Sequence, residues 1–67
     1  MIYINGDPHD EGAGQTVAGA LALLDIAPDA RGVAVAVDGE VVPRAVWATF
    51  AVRAGARVEV LTAMQGG

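Results

Sequence analysis

Sixty-seven residues without a cysteine make one small domain held by apolar packing alone, with no disulfide, no thiol nucleophile and no zinc site of the cysteine type. Eight acidic residues face four arginines and no lysine, a net charge of −4, and phosphate backbones attract the opposite balance, which argues against nucleic acid as a partner. Although 54% of the residues are hydrophobic, no run approaches the ~20 apolar residues of a membrane span, and MIYINGDPHD lacks the basic and long apolar regions of a signal peptide. The expectation is a soluble, cytoplasmic protein unprocessed at that end.

IYI at residues 2–4 is a short β-branched and aromatic run, and NGDP after it is turn chemistry. The polar stretch HDEGAGQ has room for a short returning strand. A helix of about ten residues follows. Thr16 is its N-cap, and Val17, Ala20, Leu21 and Leu24 recur at helical spacing to form one apolar stripe. Pro28 is expected to close it, because proline disfavours helical geometry in the residue before it.

VAVAVDGEVV predicts a hairpin, with Val33, Val35 and Val37 alternating with alanines and Asp38-Gly39 in a turn that needs positive φ. Pro43 stops the second arm, and RAVWATF is long enough for one helical turn carrying Val46, Trp47 and Phe50. RAGA gives another turn. In RVEVL, Val58 and Val60 fall on one face of a last strand, and Arg57, Glu59 and Leu61 on the other. The predicted class is α+β, a mixed sheet of four to five strands covered by one main helix. The first and last strands pair in parallel through a right-handed crossover, which is the ubiquitin-like β-grasp arrangement. A single domain over residues 1–67 is expected, with a flexible tail at 64–67.

Candidates for chemistry are few. A domain of this size has little room for a pocket with a convergent acid, base and nucleophile. His9 is the one histidine and there is no serine. His9 with Asp7, Asp10 and Glu11 could be imagined as a metal site, but turn residues between strands have the same spelling, so no metal is expected. Gly12, Gly14 and Gly19 flank the helix start without the glycine spacing or the lysine of a phosphate loop. Trp47 and Phe50 read as packing residues, Thr49 as a surface hydroxyl.

That leaves the ending, MQGG. Its plain reading is a frayed terminus. Its functional reading has a mechanism, because a Gly66-Gly67 tail has no Cβ and can thread a narrow channel to bring a backbone carboxylate to a partner's catalytic groups. The carboxylate is ionised and a poor electrophile at neutral pH, so it must first be activated, for example as an acyl-adenylate made from ATP.

AGQTV at residues 13–17, VAVAVDGEVVPRAVW at 33–47 and the terminal Gly66-Gly67 together resemble the ThiS family, the small sulfur carriers of thiamine biosynthesis. The resemblance spans essentially the whole chain, and VVPR followed by tryptophan is its most specific part. It departs at Asp38, where the family usually has asparagine, at Ala56, where it usually has aspartate, and at Gln65, where a third glycine is common. The resemblance implies a carrier that is a protein co-substrate and not an enzyme, with no bound cofactor. An adenylyltransferase of the ubiquitin-activating type uses ATP to adenylate Gly67, and sulfur from a cysteine desulfurase or persulfide protein turns it into a thiocarboxylate. Thiazole synthase then receives the sulfur. Gly66 is implied as the thin neck of the tail, with Met64 and Gln65 helping to place it. Two alternatives stay open: a carrier of the same fold serving molybdopterin, cysteine or tRNA thiolation, and a non-covalent ubiquitin-like interaction module.

Overall fold

Two Asx-Gly pairs build the two hairpins of the sheet. Asn5 (φ 51°) and Gly6 (φ 87°) join β1 (Ile2–Ile4) to β2 (Asp7–His9), and Asp38 (φ 51°) and Gly39 (φ 84°) join β3 (Val33–Val37) to β4 (Glu40–Val41). Positive φ at both central residues is what a tight two-residue hairpin demands, and asparagine, aspartate and glycine tolerate it best. The computed structural model describes residues 1–10, 15–27 and 29–62.

The last strand, β5 (Arg57–Thr62), sits in the middle of a five-stranded sheet ordered β2-β1-β5-β3-β4. Its pairing with β1 is parallel, with Tyr3 opposite Arg57 and Ile4 opposite Val58. Its pairing with β3 is antiparallel and longer, from Val33 opposite Thr62 to Val37 opposite Val58. Because side chains alternate across a strand, Ile2, Ile4, Val35, Val37, Val58 and Val60 all turn to one face and are buried there. The other face of the sheet carries Tyr3, Ala34, Ala36, Arg57, Glu59 and Leu61.

The returning strand β2 lies earlier than the sequence suggests. Asp7 and Pro8, read as turn residues, are its first two positions, since Asn5-Gly6 alone closes the hairpin and Ile4 already faces Asp7. Proline is tolerated because β2 is an edge strand, where a missing N–H costs the sheet no ladder bond.

Helix α1 (Val17–Ala22) starts where expected and ends sooner. Thr16 Oγ1 accepts the Gly19 N–H at 3.2 Å. The Val17 and Ala18 N–H groups, which have no partner inside the helix, donate to the carbonyls of Phe50 and Trp47, each at 2.9 Å. Six helical residues replace the ten expected, and the stop is Asp25, not Pro28, which lies outside the described residues. Asp25 adopts φ 58°, its N–H reaches the Ala22 carbonyl and the Ile26 N–H reaches the Leu21 carbonyl, both at 3.1 Å. These paired bonds form a Schellman closure, which ends a helix through a left-handed residue. Leu24 therefore packs on the core from the closing turn rather than from the helix.

Val17, Ala20 and Leu21 join the sheet's valines and isoleucines in one core with Val42, Trp47, Val52 and Ala56. RAVWATF forms a short 3-10 helix, Arg44–Val46, followed by a turn. The Trp47 indole N–H donates to the Val42 carbonyl at 2.8 Å, and the Arg44 guanidinium lies 4.5 Å above the ring while also donating to the Ala30 carbonyl. Val46 is exposed. A turn that tight cannot bring both Val46 and Trp47 to the core side. No described helix is long and apolar enough to cross a membrane.

Candidate functional site

The residues that the sequence marks for chemistry, Met64, Gln65, Gly66 and Gly67, lie outside the described residues, as does any property of a tail at 64–67. What the structure describes is the strand that leads to them. β5 is central, so its last residue, Thr62, stands at the end of the sheet, five positions before the Gly67 carboxyl.

Two side chains fasten β5. At its start, Asp38 Oδ1 accepts the Arg57 N–H at 3.0 Å while the Asp38 N–H donates to the Arg57 carbonyl at 2.8 Å. Asp38 Oδ2 also meets the Arg53 guanidinium at 3.0 Å. Further along, the Asn5 amide makes both bonds to one backbone unit: the Val60 N–H donates to Oδ1 at 2.8 Å, and Nδ2 donates to the Val60 carbonyl at 3.2 Å. The sequence shows both Asx residues as turn formers and gives no sign of these second roles, because their targets are 19 and 55 positions away.

The sheet face opposite the core has no helix over it among the described residues. Leu61 is 70% exposed and Val41 73%, and they flank a shallow depression of about 120 Å³ floored by Ala34 and Ala36, with Glu59 at its side. Tyr3 is also exposed on this face. A larger open hollow, about 540 Å³, lies beside the two hairpin turns, lined by Tyr3, Asn5, Asp38, Arg57 and Glu59 among others. Large exposed aliphatic side chains grouped on one surface mark an interaction face more often than scattered ones do.

The other candidates separate in the structure. His9 is half-buried, Asp7 and Asp10 are exposed and Glu11 lies outside the described residues. Among the described residues no group of three or more such side chains is placed to hold a metal ion. Gly12 and Gly14 are also undescribed, and the first N–H groups of α1 already have protein partners, so the helix start offers no free donors there to an anion. Thr16 is a cap and Trp47 a core residue, as read from the sequence.

A mixed five-stranded sheet with parallel first and last strands, one helix on its inner face and a central carboxyl-terminal strand places the chain in the ubiquitin-like β-grasp class. The sequence model of the ThiS family matches residues 2–67, and the chain belongs to that family. It is similar to the crystal structure of the thiamine biosynthesis protein ThiS from Geobacter metallireducens, at 32% identity, a TM-score of 0.74, and coverage of 98% of this chain and 97% of that one. Comparison with curated protein sequences gives no match.

Proposed function

We propose that the chain is a sulfur carrier for thiamine biosynthesis, a protein co-substrate whose Gly67 carboxylate is the group that partner enzymes modify. The observation that carries this reading is the family match itself, which runs to residue 67 and so takes in the diglycine end. The fold supports it, because β5 is central and its last residue, Thr62, lies at the end of the sheet opposite the turn at Asp38.

The chemistry follows from the weakness of a carboxylate as an electrophile. In an adenylyltransferase of the ubiquitin-activating type, a Gly67 carboxylate oxygen attacks the α-phosphorus of ATP, and pyrophosphate leaves. A persulfide sulfur supplied by a cysteine desulfurase or a persulfide protein then attacks the acyl carbon, and AMP leaves. A thiol cleaves the resulting acyl disulfide, the sulfur stays on the glycine as a thiocarboxylate, and thiazole synthase accepts it. This chain contributes no acid or base to those steps. Its part is to fit: Gly66 has no Cβ and passes a narrow channel, with Met64 and Gln65 seated behind it, while the uncovered sheet face around Leu61 and Val41 meets the partner. ATP is bound by the partner.

The test is an intact-mass spectrum after incubation with the adenylyltransferase, ATP and a sulfur source, beside a chain lacking Gly67. The expected result is a gain equal to exchange of one oxygen for sulfur, in the full chain only. No gain, with the adenylyltransferase active on another carrier, overturns the proposal.

A further inference from the structure

We infer that Asn5 is a positioning residue for the carboxyl terminus: its side-chain amide replaces the strand residue that β1 lacks and holds β5 from both sides as far as Val60. The inference rests on the carrier reading above. β1 ends at Ile4, and the chain turns away at Asn5-Gly6 into β2. The backbone ladder between β1 and β5 accordingly stops early, with the Tyr3 N–H on the Ala56 carbonyl and the Asn5 N–H on the Val58 carbonyl, each at 2.9 Å. The next unit of β5 facing that side is Val60, and no backbone of β1 reaches it.

The Asn5 side chain supplies what is missing. A primary amide offers one acceptor and two donors in nearly the geometry of a peptide unit. Here it takes the Val60 N–H at 2.8 Å and gives an N–H to the Val60 carbonyl at 3.2 Å. Both bonds are partly buried, Val60 being buried and Asn5 exposed, which makes them worth more than fully exposed ones. At Val60, β5 thus has the Asn5 amide on one side and β3 on the other, where Val35 lies opposite. Leu61 and Thr62 are paired with β3 alone. Among the described residues Val60 is the last position at which β5 is flanked on both sides, seven positions before Gly67.

A carboxyl that must reach an in-line geometry on a nucleotide phosphorus is sensitive to small displacements. Fraying of β5 at Val60 lets the chain leave the sheet over a wider cone of directions. The docking face proposed above is centred on Leu61 and Val41, whereas the Asn5 amide acts on the backbone of Val60, so the loss is expected on the rate of the bound complex and not on binding.

Two variants isolate the effect. Asn5→Gly keeps a residue suited to φ 51° and removes both bonds. Asn5→Asp keeps tolerance of that φ and the acceptor for the Val60 N–H, but loses the donor and sets an anionic oxygen against the Val60 carbonyl. Pyrophosphate release by the cognate adenylyltransferase is measured with each full-length carrier as the varied substrate, at a temperature where circular dichroism shows it folded. We expect kcat to fall about 10-fold for both variants with KM within about 2-fold of wild type. In Asn5→Gly the Val60 amide should exchange hydrogen about 10-fold faster relative to Glu59, which pairs with β3. An unchanged kcat beside an active wild type overturns the positioning role alone. A rise in KM at constant kcat does the same, because it assigns the amide to docking. A wild-type chain that releases no pyrophosphate overturns the carrier reading and this inference with it.

Discussion

Replacing Trp47 by phenylalanine tests whether the VVPRAVW segment is built around one indole. The ring is 3% exposed, its N–H donates to the Val42 carbonyl at 2.8 Å, and Val42 is itself buried. Phenylalanine keeps an aromatic ring for Arg44 to cover but leaves that carbonyl without its donor, at a cost of about 1–3 kcal/mol. The missing second ring leaves a cavity of a few tens of Å³, adding about 1 kcal/mol. The sum is about 2–4 kcal/mol. Against a total stability of about 3–10 kcal/mol for a domain of this length, that is a large fraction, and it lowers Tm by about 10–30 °C. The assay is urea unfolding followed by far-UV circular dichroism, since Trp47 is the sole tryptophan and its fluorescence is lost with it. A midpoint that moves by less than the equivalent of about 0.5 kcal/mol, at unchanged m, refutes the reasoning by placing Trp47 among ordinary surface positions.

Leu61→Asp should leave stability within about 0.5 kcal/mol, because the side chain is 70% exposed. The same change should weaken binding to the adenylyltransferase by about 10-fold or more if the uncovered face is the contact, read by titration calorimetry; unchanged binding removes that face from the proposal. Asp25→Gly should raise stability by about 0.5 kcal/mol, because glycine holds φ 58° without the Cβ penalty. A lower melting midpoint for that variant would show that the aspartate side chain matters to the helix end in its own right.

What was legible in the sequence is what is decided within a few residues. Thr16 as N-cap, Asp38-Gly39 as a hairpin turn, and the alternation that sends Val58 and Val60 inward all follow from local geometry. The resemblance to the ThiS family was legible as well, and the family match over residues 2–67 bears it out. The helix end was not, because Asp25 takes a left-handed conformation that its sequence neighbours do not require; Ile26, packed against the core just after it, fixes the turn. Nor was β2, since Asp7-Pro8 has the spelling of a turn and becomes a strand only because an edge position forgives proline. The uncovered face was half legible. RVEVL put Leu61 outward, but Val41 joins it only through the register that sets Ala36 opposite Val41.

The two Asx-Gly turns show why the side-chain identities at the same turn position differ. Both Asn5 and Asp38 hold φ 51°, for which either residue type serves. Their side chains then reach the same strand at different points and meet different chemistry. Asn5 faces an N–H and a carbonyl of Val60 together, so it needs an acceptor and a donor, which only the amide has. Asp38 faces the Arg57 N–H and the Arg53 guanidinium, two donors, which a carboxylate satisfies with one oxygen each. The aspartate that departs from the family's usual asparagine is thereby matched to Arg53 beside it, and exchanging the two residues would leave a donor facing a cation at one turn and two acceptors facing each other at the second. Both turns thus do more than reverse the chain. Each fastens a different part of β5, and between them they hold in register the strand that leads to Gly67.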